Sequence, residues 1–317
     1  MKRHRGRIRW GWFVLVSLCI WWCISGGYRG NSETSGHLPP KCSATCLSAP
    51  TPRVVHFVFG LDATDEFGFT EYLSVLAARR RCAADTWVLL HLGRSSSTSN
   101  RWLTAALQWP RVLARPVRVP RHLGRWPVRH AAHAADWLRL EVLARFGGLY
   151  LDADVWVLRD PFDLVDRTGA ACGIGVETVE DGGDRTVGLC NAVLWSVLGG
   201  CPLLHRWMLA YRSFQPWHWN RFSVVLPWQL AQRWPAEIHQ VPARAFFPFS
   251  WDALGLRALY GNRSRAAWSR VEAAHAVHLW AHAAQRAGFP VRSLTAQECL
   301  RRNTTLHAIA RSILSEV

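Results

Sequence analysis

Two carboxylates two positions apart, Asp152 and Asp154, interrupt an otherwise apolar run, GGLYLDADVWV, at residues 147–157. Leu149, Leu151, Ala153, Val155 and Val157 alternate with Tyr150, Asp152, Asp154 and Trp156. Read as a β-strand with a period of two, the run puts both carboxylates on one side. Adjacent like charges repel, and burying an ion is costly unless it is paired. Two kinds of partner answer that need. Arginines, with Arg139 and Arg159 as candidates, would neutralise the pair as salt bridges. A hard divalent cation such as Mg²⁺ or Mn²⁺ would instead link the carboxylates to a substrate diphosphate, since such ions prefer carboxylate and phosphate oxygens. The carboxyl edge of a parallel sheet is also where open α/β folds bind ligands.

The flanking segments predict the elements that hold this pair. RVVHFVFG and TWVLLHLG read as short apolar strands, and TEYLSVLAARRRC between them as a helix with Tyr72, Leu73, Leu76 and Ala77 at helical spacing. Strand, helix and strand imply a parallel βαβ unit covered on both faces. HAADWLRLEVLARFGG predicts a second helix, with Leu138, Val142, Leu143 and Phe146 inward and a glycine stop. On it Asp136 and Arg139 stand at i and i+3, on one face. An acidic, glycine-rich loop around ETVEDGGDRTVG, a Trp- and Pro-rich stretch at 216–248 and a closing helix after Thr295 complete the globular part, with no internal repeat.

Composition removes some function classes. The chain has 317 residues, half of them hydrophobic, which is enough for one large core or two smaller ones. A net charge of +16 would ordinarily suggest nucleic acid, but Lys2 and Lys41 are the only lysines, so the charge reflects arginine-biased composition. Residues 86–135 contain no acid and set Arg101, Arg111, Arg115, Arg118, Arg121, Arg125 and Arg129 beside Trp102, Trp109 and Trp126. Such a surface would suit an anionic glycan or lipid head group. The 19 tryptophans could fill the core, form interfaces or serve as platforms for sugar rings. No P-loop, H-E-x-x-H or G-x-S-x-G motif is present, and CGIGVET lacks the third glycine of a dinucleotide site. His275, His278 and His282 would share a face, and suit zinc, only if their segment were helical.

The N-terminus predicts a membrane anchor. MKRHRGRIR (1–9) is a basic, cytosolic tail, and the uncharged residues 10–28 are just long enough to span. A cleaved signal peptide ending near Ser25, Gly26 and Gly27 is the rival, disfavoured by the flanking tryptophans and the lack of an A-x-A pattern. Residues 29–52, rich in Ser, Thr, Gly and Pro, form a stem, and 53–317 the folded lumenal part. Sequons at Asn262 and Asn303 fit that address, which also removes nucleic acid as a partner. Of nine cysteines, seven lie beyond the apolar run, so disulfides are expected there with unreadable connectivity.

The stretch HAADWLRLEVLARFGGLYLDADVWVLRDPFD closely resembles the donor-site segment of DXD-motif glycosyltransferases. That sugar-binding family includes α-1,4-galactosyl-, N-acetylglucosaminyl- and initiating α-1,6-mannosyltransferases. Weaker resemblance extends through VVHFVFG, CNAVLWS, WNRFSVVLP, FFPFSWD and HAVHLW. It implies a GT-A-like, Rossmann-type single catalytic domain with a mostly parallel sheet, behind the anchor of a Golgi type II protein. It also implies transfer from a nucleotide sugar, a UDP-sugar first, to a glycan or glycolipid hydroxyl, with retention. In the family such an Asp136–Arg139 pair bonds sugar hydroxyls and supports the diphosphate. Asp152 would touch the ribose and the metal through water, and Asp154 would bind the metal, Mn²⁺ or Mg²⁺. Phe59 would meet the base, Asn191 the donor sugar, and His278 would supply a late metal or diphosphate ligand. Glu177, Glu180, Asp181 and Asp184 are read as acceptor contacts in a flexible loop, and no nucleophile is assigned. An inactive, lectin-like or anionic-glycan-binding relative is the alternative.

Overall fold

The computed structural model of the chain describes residues 51–62, 64–93, 100–180, 183–291 and 294–315. The expected tail, the anchor at 10–28, the stem up to residue 50, Cys19, Cys23, Cys42, Cys46 and Asp181 lie outside the described residues. Among the described residues no helix is long and apolar enough to cross a membrane.

The expected βαβ unit forms. Strand β1 (Val54–Phe59), helix α1 (Phe69–Arg81) and strand β2 (Trp87–Leu92) place β1 parallel to β2, from Val54↔Trp87 to Phe59↔Leu92. Helix α2 (Arg101–Leu107) starts where the Asn100 side chain accepts from the Trp102 and Leu103 amides, and returns the chain to β3 (Val112–Pro116), parallel to β2. A small ribbon, β4 (His122–Leu123) with β5 (Trp126–Pro127), precedes helix α3 (Ala131–Phe146). The chain then runs through β6 (Gly148–Leu151), β7 (Val155–Val157), β8 (Cys172–Val179), β9 (Arg185–Ser196), β10 (His239–Val241) and β11 (Ala276–His278). The seven-stranded sheet has the order β10-β8-β9-β6-β1-β2-β3 and is mostly parallel, with β9 reversed against both neighbours.

Hydrophobic alternation feeds a core on each face of this sheet. Val55, Phe57, Leu149 and Leu151 pack with α1, while Val58, Tyr150, Ile174 and Leu194 pack with Leu138 and Leu143 of α3. Gly147 and Gly148 make the α3–β6 reversal, at φ of 61° and 95°. A Cβ on Gly148 would stand 2.5 Å from the Val54 carbonyl oxygen, so only glycine lets β6 run this close to β1. A disulfide, Cys172–Cys201, ties the start of β8 to the residue before the helix Pro202–Ala210. Two helices, Ala296–Arg301 and Thr305–Ser315, stand where one closing helix was expected, the first begun by a Thr295–Glu298 capping box.

The reading of GGLYLDADVWV as one strand is overturned. The chain leaves the sheet after β6, and the Val155 amide donates to the Asp152 carbonyl at 2.9 Å, which makes a turn of residues 152–155. β7 pairs antiparallel with β11 in a separate ribbon, Val155↔His278. Aspartates tolerate such turns well, and the apolar residues around them look alike in a strand or in two short ones. The carboxylates come together because the chain bends between them.

Candidate active site

Four of the sequence-predicted residues form one buried network. Arg139, 4% exposed on α3, places Nη1 3.1 Å from Asp152 Oδ1 and Nη2 3.3 Å from Asp136 Oδ1. Its Nη1 also donates to Asn191 Oδ1 at 2.7 Å and to the Asn191 carbonyl at 2.8 Å, and its Nε donates to the Ala135 carbonyl. Asn191 Nδ2 in turn donates to Asp136 Oδ1 at 2.8 Å. Asn191 can reach in because the β8–β9 register shifts between Ile174 and Gly175, where β9 carries extra residues. Bulges commonly re-aim a side chain in this way. Burial pushes the Asp136 carboxyl above its ordinary range, only partly offset by Arg139 and Asn191, and the Asp152 charge adds to the rise. The Arg139 guanidinium, held between two carboxylates and over the Tyr150 ring, stays charged.

Asp154 is held from the other side. His278 Nε2 lies 3.2 Å from its Oδ1, and the Ala281 amide donates to its Oδ2 at 2.8 Å. Burial opposes ionisation of Asp154, but the His278 charge and these hydrogen bonds outweigh it and hold the carboxyl below its ordinary range. Burial likewise opposes charging His278, yet Asp154, Asp152 and Glu177 together raise it. Among the described residues, His278 Nδ1 is buried without a partner. One ligand atom from each of Asp152, Asp154 and His278 lies within 4.8 Å of the others. Two carboxylate oxygens and an imidazole nitrogen in that space suit a divalent cation.

The remaining expectations divide. Phe59 stands half-buried at the carboxyl end of β1, where its ring meets Phe67 edge-on at 5.3 Å. Arg159 is not a partner of the aspartates: it donates to the Ala273 and Ala274 carbonyls. The three histidines do not share a helix face, because β11 ends at His278. His275 turns to the Asp160 carbonyl at 3.0 Å, and His282 stacks on Trp219. Glu177 is not in a flexible loop. It lies in β8, buried, and accepts from Trp251 Nε1 at 2.8 Å. Glu180 pairs with Arg270 at 2.9 Å, and its amide donates to Asp252. These acids anchor the 250–252 segment to the sheet.

Residues 100–171, which contain this turn and most of the network, match the family described as "Glycosyltransferase sugar-binding region containing DXD motif". The chain carries a DXD-motif glycosyltransferase region. A similar protein is "Glucan organizing enzyme 1" of Cryptococcus neoformans var. grubii, 32% identical over 206 residues, covering 63% of this chain and 55% of that protein. The chain thus spans little more than half the length of that relative. The mouse "Lactosylceramide 4-alpha-galactosyltransferase" is 23% identical over 309 residues, covering 86% of this chain and 80% of that one. Among solved structures, the glycosyltransferase GlyE of Streptococcus pneumoniae TIGR4 superposes with a TM-score of 0.46 at 12% identity, over 83% of this chain and 60% of that one.

Around the DXD turn, two contacts escaped the sequence reading. Tyr150 donates its hydroxyl to Asp152 Oδ1 at 2.8 Å. Ser74, buried on α1, donates to the Ala153 carbonyl at 2.6 Å and so supports the turn from beneath. The only signal in the sequence was a pair of hydroxyl residues, Thr70 and Ser74, one turn apart in an otherwise apolar helix face.

Proposed function

We propose that this chain is a metal-dependent glycosyltransferase, moving a sugar from a UDP-sugar to a hydroxyl of a glycan or glycolipid, with retention. The observation that carries the reading is the Asp152–Asp154–His278 group on a DXD region. Mn²⁺ or Mg²⁺ held there would stabilise the negative charge that grows on the departing nucleoside diphosphate. The protein's share is positional. Arg139 has its donors engaged by Asp136, Asp152, Asn191 and Ala135, so it orients the Asp152 carboxylate and does not present a free fork to the diphosphate. Tyr150 donates to the same Asp152 oxygen, Oδ1, and so helps Arg139 hold that carboxylate. Asp136 and Asn191 line the donor-sugar side, and Phe59 takes the base. A GT-A-like domain architecture belongs to the same proposal.

A screen of UDP- and GDP-sugars tests it. One nucleotide sugar should be consumed with Mn²⁺ and spared with EDTA. A chain that consumes none of them with either metal is a binding protein, and the reading fails.

The compartment is part of the proposal: a Golgi membrane protein, single-pass, with residues 10–28 in the bilayer and the catalytic part lumenal. Asn262 and Asn303 are both exposed, and Asn262 bridges to Thr304. In sealed microsomes the C-terminal part should resist protease and carry glycan at one sequon or both. Its digestion would refute the orientation.

A further inference from the structure

Trp217 and Trp219 are 57% and 53% exposed, which is expensive for the largest apolar side chain unless something stacks on it. They sit in the loop 215–220, and Trp219 opens the stretch WNRFSVVLP. Trp219 touches two segments that also supply the carboxylate site. On one side its ring meets His130 at 5.8 Å and His133 at 5.4 Å, in the cap and first turn of α3, the helix that carries Asp136 and Arg139. On the other it stacks on His282 at 5.8 Å and 24°, next to Ala281, whose amide binds Asp154. Trp217 meets Trp126 at 4.9 Å with the ring planes at 85°, and remains 57% exposed.

The polar neighbours of the pair point the same way. His130, which meets Trp219, and His218, which meets Trp217, are both exposed and can bond hydroxyls. An aromatic face with hydrogen-bonding capacity beside it suits a pyranose, whose C–H face is apolar and whose rim is polar. The nucleotide base has its own proposed place at Phe59, on β1.

We infer that Trp219, with Trp217 beside it, is the stacking platform for a sugar ring of the acceptor glycan at the entrance to the Asp152–Asp154–His278 group. The inference rests on the transferase reading for the word acceptor, but not for sugar binding itself. The test needs no donor. Saturation-transfer NMR on the full chain, with methyl β-lactoside and laminaritriose as probes, should show binding of at least one. Trp219→Ala should weaken it roughly 5- to 100-fold, the loss expected of one ring stack. Trp219→Phe should keep most of it, and Trp217→Ala should lose part. Calorimetry with UDP and Mn²⁺ on the same proteins reads the donor half and should give the same affinity for wild type and Trp219→Ala. If wild type binds glycan but not UDP with Mn²⁺, the transferase reading fails and the platform stands. Wild type that binds neither glycan, or Trp219→Ala that binds as wild type does, overturns the platform.

Discussion

Arg139→Met is expected to lower the unfolding free energy by about 3–5 kcal/mol, the usual cost of removing one partner from a buried ionic group. The residue is 4% exposed and faces Asp136, itself 7% exposed, as well as Asp152. Methionine fills similar volume but leaves Asp136 buried with Asn191 as its remaining partner and frees the Asn191 acceptors. Arg139→Lys keeps the charge but not the planar fork. One ammonium cannot serve Ala135, Asn191, Asp136 and Asp152 together, so this variant should fall between wild type and Arg139→Met. Urea unfolding of the three proteins without metal measures the series. A loss below about 1 kcal/mol for Arg139→Met, as for an exposed ion pair, would mean the network contributes little to folding. Donor turnover should be impaired in Arg139→Lys as well, because Asp152 is no longer held from that side.

Asp154→Asn should abolish the stabilisation by Mn²⁺ and UDP. For wild type that stabilisation should reach about 2.7 kcal/mol when ligand is 100-fold above its dissociation constant. The cost without metal should be smaller than for Arg139→Met. Asp154 is paired with His278, which can shed its proton, whereas a stranded arginine cannot. The asparagine oxygen also still accepts from the Ala281 amide.

The pH dependence separates ion pair from metal site. His278 is raised above its ordinary 6.5, so in the metal-free protein its contribution is complete below that value and is lost as pH rises through the raised one. Asp154 is depressed below 3.8, so its contribution is present above that value and is lost as pH falls through the depressed one. The metal-free deficit of Asp154→Asn should therefore be largest between those limits and shrink as His278 deprotonates. Metal needs the neutral imidazole, so the gain from Mn²⁺ with UDP in wild type should grow over the same rise in pH. Melting curves of both proteins, with EDTA and with Mn²⁺ plus UDP at several pH values, read both trends. Wild type unmoved by Mn²⁺ and UDP at every pH would remove the metal assignment.

What the sequence determined by itself is local. The apolar runs VVHFVF and WVLLHL with a helix between them became β1, α1 and β2 in parallel register, because period and length are properties of neighbouring residues. Asp136 and Arg139 were legible as a pair because helical geometry places i and i+3 on one face. Gly147 and Gly148 were legible as a stop, since no other residue adopts those torsions without strain. Tertiary structure decided the rest. A turn at 152–155 and a continuing strand share the same alternation, and only the departure of β7 to pair with β11 chose between them. That pairing brings His278 to Asp154 and the Ala281 amide, 127 positions away, to the same carboxylate. The partners of Asp152 were ambiguous in a chain with 38 Lys and Arg residues, and packing of α3 on β6 and β9 selected Arg139 while Arg159 went to backbone carbonyls. Asn191 depends on a register shift in β9, and Trp219 on loop 215–220 meeting two segments far apart in the chain. Each is a contact between segments far apart in the chain, and residue type and spacing carry no record of which distant partner the packed fold will supply.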